Sequence, residues 1–80
     1  MTTRPTPEAL AFLAAANARY HAARVELERL EREYSAITDT HNPAAIGAAW
    51  AAVEQATEVK NARWQTLNTA HAIVQESRHE

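Results

Sequence analysis

TDTHNP, residues 38–43, is the stretch on which the fold turns. It is short and polar, and long helix-forming sequence lies on either side of it. Asn42-Pro43 repeats an arrangement met earlier at Thr6-Pro7: a capping side chain stands just before a proline. At the first helical position a proline gives up an N–H that would have no partner there, and its φ already suits the helix. Glu8 adds negative charge near the positive end of the first helix macrodipole. No proline interrupts 8–42 or 44–80. The spacing therefore predicts helix over about 7–37, a turn at about 38–42 and helix over about 43–77, within one domain spanning 1–80. A connection this short makes the helices antiparallel neighbours, an αα-hairpin with arms roughly 45–50 Å long. Gly47 is the weak spot of the second arm, and residues 1–5 and 78–80 are expected to fray.

Composition agrees with an all-α chain. Alanine dominates the 46% hydrophobic fraction, aromatics are 6%, and there is one glycine. Good helix formers abound, and strand-forming runs of β-branched and aromatic residues are missing. With no cysteine, neither disulfides nor thiolate metal sites are available. Eighty residues give a core worth only about 3–5 kcal/mol, so self-association is expected to supply the rest. The net charge of −2 offers no general pull toward nucleic acid or anionic membrane. No apolar run approaches the roughly 18–20 residues of a membrane span. The opening MTTRPTPEAL lacks the basic–apolar–small order of a secretory signal, so a cytoplasmic location is expected.

Both arms carry a 4,3 alternation. In the first it runs Ala9, Leu13, Ala16, Tyr20, Ala23, Leu27, Leu30, Tyr34, Ile37. In the second it runs Ile46, Trp50, Val53, Thr57, Lys60, Trp64, Leu67, His71, Val74. A spacing of 3.5 residues implies a coiled-coil-like heptad seam. Folding about residue 40 sets Leu13 against Leu67, Leu27 against Val53, Leu30 against Trp50, Ala16 against Trp64 and Tyr20 against Lys60. This reading makes the two tryptophans seam residues. Lys60 is then a polar seam position that fixes register at some cost in stability.

Two helices enclose almost no interior, and the apolar surface here is wider than one seam. Ala45, Ala52, Val59 and Ile73 form a second column, flanked by Ala49, Ala56 and Ala70. In ALAFLAAANA (9–18), Leu10 and Phe12 also lie outside the seam. An arc this wide calls for a further partner. A two-fold dimer of hairpins, an antiparallel four-helix bundle, is the simplest solution. Leu10, Phe12, Ala52, Ala56, Val59 and Ile73 are the expected oligomer or partner interface. By contrast RVELERLEREY (24–34) reads as a solvated face laced with i,i+4 ion pairs.

Chemistry is sparse. Glu76 and His79 have the i,i+3 spacing of carboxylate-bridged metal bundles, but the seams contain no carboxylate to complete a site. His71 reads as a cap on the open end of the hairpin, and His21 and His41 as exposed. No nucleophile has a recognisable base, and there is no glycine-rich phosphate loop. No cofactor, metal or small-molecule substrate is expected, and the chain reads as non-enzymatic. The leading expectation is a small protein–protein interaction, adaptor or assembly protein acting as an oligomer. The alternative is a Rop-like RNA-binding bundle, with Arg19, Arg24, Lys60 and Arg63 as a mid-height cationic belt. Glu26, Glu54 and Glu58 lie close to that belt and oppose it.

In length class and shape the chain also resembles the small secreted helical hairpins of type VII secretion. Their marker is a Trp-x-Gly motif in the inter-helix turn. Here the region reads HNPAAIGAAW (41–50), with glycine before tryptophan, so the resemblance stops at architecture.

Overall fold

Thr6 and Asn42 start the two helices as their side chains dictate. Thr6 Oγ1 accepts a hydrogen bond from the Ala9 N–H at 3.1 Å, and Asn42 Oδ1 accepts one from the Ala45 N–H at 3.3 Å. Each satisfies one of the amide donors that a helix start leaves without an internal partner. The resulting helices are α1 (Pro7–Thr38) and α2 (Pro43–Arg78). Both run one residue past the predicted ends. The structure, a computed structural model, describes residues 4–78, with side chains up to residue 76. The fraying expected of residues 1–3, 79 and 80 falls outside the described residues.

Two threonines manage the end of α1. The Thr38 hydroxyl donates to the Ser35 carbonyl and the Thr40 hydroxyl to the Ile37 carbonyl, each at 2.6 Å. The Thr40 N–H also donates to Ile37, and the His41 N–H to the Thr38 carbonyl. These bonds absorb carbonyls that have no partner further along the helix. His41 then reverses the chain with φ of 57°, in the left-handed region that most side chains avoid. The sequence gives no sign of this, because histidine in place of glycine hides the position.

The arms pack along a rod 64 Å long and 13 Å across. On α1 the seam is the predicted one: Ala9, Ala16 and Leu27 are buried, and the other six seam positions are partly so. On α2 it is not. Val53, Leu67 and Val74 are buried as expected, but Trp50, Trp64 and His71 are exposed, while Ala70 is sealed completely at 0% exposure. Ala49 and Ala56 are partly buried with it. α2 is thus turned about 50°, half the angle between successive residues, from the expected orientation. The reason is size. An indole held between the helices keeps them apart, whereas the alanine column lets them close up.

The core is correspondingly thin. Ala16, Leu67 and Ala70 form its centre, with Leu13 and Tyr20 against them, and among the described residues no large side chain is fully buried. Gly47 contributes nothing to this packing, since a methyl group there would meet no atom within 4 Å. Its backbone is ordinary helix. Gly47→Ala is therefore expected to stabilise the hairpin by about 0.5–1 kcal/mol, chiefly by restricting the unfolded chain. A thermal melt that falls rather than rises would reveal a constraint on that position. Among the described residues, no helix is long and apolar enough to cross a membrane.

Candidate interaction surfaces

The seam divides the rod into two long faces, and the displaced tryptophans mark one of them. Tyr20 stacks on Trp64 with ring centroids 5.1 Å apart, and Tyr34 on Trp50 at 5.4 Å, both tilted by about half a right angle. In each pair the residue numbers sum to 84, four more than the expected register. Long helical side chains lean toward the N-terminus of their own helix. In an antiparallel pair the two leans are opposed, so tips meet between residues offset along the axis. Tyr20 therefore stacks on Trp64. Lys60 stays half-buried in the seam, and among the described residues it forms no ion pair or cation–π contact.

This aromatic face holds two shallow depressions. Leu10, Leu13, Ala14, Asn17 and His71 line one near the open end. Tyr34, Pro43, Ile46, Gly47 and Trp50 line the other beside the turn. His71 is thus an exposed wall of a groove and does not cap the seam. Polar columns border the face: Asn17, Arg24 and Glu31 on α1, and Glu54, Asn61 and Asn68 on α2.

The opposite face is built from small residues. A groove along it is lined by Ala23, Glu26, Leu30, Ala52, Gln55, Ala56 and Val59. Ile73 stands two heptads beyond Val59, and Phe12 two heptads before Glu26, so both belong to this face. Five of the six expected interface residues are brought together here: Phe12, Ala52, Ala56, Val59 and Ile73. Leu10 is not, because it stands in the aromatic face. Phe12, Val59 and Ile73 are 39%, 43% and 39% exposed, which is high for large apolar side chains sharing one stripe.

The four cations expected to form a belt are divided. Arg63 stands one heptad after Ala56 and Arg19 one heptad before Glu26, which places both on the alanine face. Arg24, one heptad after Asn17, lies on the aromatic side and approaches Glu28 at 3.9 Å. Lys60 belongs to the seam. Glu26 and Glu33 both engage Arg29, at 3.0 Å and 2.6 Å. The hydrogen bonds from Arg29 and its charge hold the Glu26 carboxyl below the usual carboxylate range. The Glu26–Arg29 pair is therefore present above that range and is lost as pH falls through the lowered value.

No group of three or more potential metal-ligating side chains converges among the described residues, and His79 falls outside them. The two Tyr–Trp stacks were not foreseen. Their signal in the sequence was a shared fourteen-residue spacing, Tyr20 to Tyr34 and Trp50 to Trp64. No family model, curated protein or solved structure matches the chain.

Proposed function

We propose that this chain is a non-enzymatic helical interaction protein, an adaptor or assembly element, that works as a dimer of hairpins forming a four-helix bundle. One observation carries the reading. A compact monomer of 8.9 kDa exposes about 4,800 Å² by the usual scaling, yet this hairpin exposes 5948 Å². The excess, about 1,100 Å², exceeds the roughly 800 Å² that each partner contributes to a standard interface. Among the described residues seven small and medium side chains make up the buried core, too few for an isolated domain of ordinary stability.

The grooves also favour interaction over catalysis. They are open and mainly apolar, and the one carboxylate in the alanine-lined groove, Glu26, is engaged by Arg29. An RNA-binding role would need its cations on one surface. Arg24 stands on the face opposite Arg19 and Arg63, which favours the protein-binding reading.

Light scattering over a dilution series tests the proposal. The expected mass is twice that of the chain at micromolar concentrations and above. A species of 8.9 kDa that keeps its full helical circular dichroism throughout would overturn it.

A further inference from the structure

The alanine face has a symmetry of its own. Ala45, Ala52, Val59, Thr66 and Ile73 follow one another at heptad spacing along α2, with Val59 in the middle. Reversing this column about Val59 sets Ala45 against Ile73 and Ala52 against Thr66, so that small residues meet larger ones. Dense helix packing requires that complementarity.

Charge on the same face is segregated along the rod. Arg19 and Arg63 lie toward the open end, and Glu26 and Glu33, which share the single cation Arg29 and so keep a net negative charge, lie toward the turn. Two hairpins stacked with their turns together would place like charge over like. Stacked with turns at opposite ends, they place the arginines of each copy over the glutamates of the other. Side-chain size and charge thus select the same arrangement independently, and the excess exposed surface matches what one such contact covers.

We infer that the alanine face is closed by a second copy of this chain, antiparallel to the first, on a two-fold axis passing through Val59. The inference rests on the dimer reading above and adds which face is used and in which direction. Arg19 and Arg63 of each protomer then meet the partner's Glu26 and Glu33. The aromatic face, with Trp50 and Trp64, remains on the outside of the bundle.

The absence of native cysteine makes the test direct. Val59→Cys lies on the axis and is expected to form an interchain disulfide in nearly all molecules under mild oxidation. Ala52→Cys alone is expected to stay uncrosslinked, because its copies are about 20 Å apart across the axis at 1.5 Å per residue. Mixed with Thr66→Cys, it should give the heterologous crosslink. Asn61→Cys, on the border of the aromatic face, is the negative control. A dimeric protein in which Val59→Cys does not crosslink, or in which Ala52→Cys crosslinks with itself, overturns the axis and leaves the dimer reading standing. A folded monomer overturns both. Val59→Glu supplies a second measurement, since it sets two carboxylates against each other on the axis. It should weaken association at least tenfold while the helical signal persists at high protein concentration; unchanged association would overturn the inference.

Discussion

Leu67→Ala is expected to lower the melting temperature by at least about 10 °C and to leave a substantial unfolded population at 37 °C. Leu67 is 4% exposed and packs with Ala16 and Ala70 at the centre of the core, beside Leu13 and Tyr20. Removing a buried leucine side chain costs about 2–5 kcal/mol, more where the surroundings cannot collapse into the space. Here they cannot collapse far, because two of its buried neighbours are alanines with little side chain to move into the space. Against the few kcal/mol that a core this small supplies, the loss is most of the total. Val25→Ala is the matched control. Val25 is half exposed on the outer surface of α1, so the change should stay within about 0.5 kcal/mol. Equal effects at the two positions would show that stability does not reside in the Ala16–Leu67–Ala70 cluster.

The second large effect is one of concentration. If folding and association are linked, a hundredfold dilution lowers stability by about 2.7 kcal/mol through mass action alone. For a dimer of this size that corresponds to a fall in melting temperature of roughly 5–10 °C. A monomeric hairpin gives a melting temperature that does not move. The measurement needs only circular dichroism at two protein concentrations, and it reads the coupling of association to folding, which a mass measurement alone does not.

Much of the architecture was legible because the signals were local. Thr6-Pro7 and Asn42-Pro43 announced both helix starts, and the hydrogen bonds to Ala9 and Ala45 sit where those caps imply. The α1 seam was equally plain, since from Arg24 onward its outer surface is mostly charged and the 4,3 alternation runs unbroken. α2 misled because it is apolar over too wide an arc. Hydrophobicity alone ranked Trp50 and Trp64 above Ala49 and Ala70 for the seam. Packing ranks them the other way, since close helices admit methyl groups and expel indoles to the rim. The partners of the aromatic residues erred for a related reason, as counting from the turn ignores the opposed lean of long side chains, whereas Leu13 does pack against the cluster that holds Leu67. Arg19 and Arg63 were grouped with Arg24 by height along the rod alone, although Arg19 and Arg24 stand on opposite sides of the α1 seam.

The two Tyr–Trp stacks also equip the molecule with a pair of optical gauges. Trp50 sits near the turn and Trp64 toward the open end, each with a single tyrosine against it and about half its surface in water. Indole emission responds to hydration, so separation of the arms at either end should redden one tryptophan and not the other. Keeping one indole at a time, with phenylalanine in place of the other, turns steady-state fluorescence into a map of where the hairpin opens first. Opening at the turn and opening at the far end then become distinguishable without any attached dye.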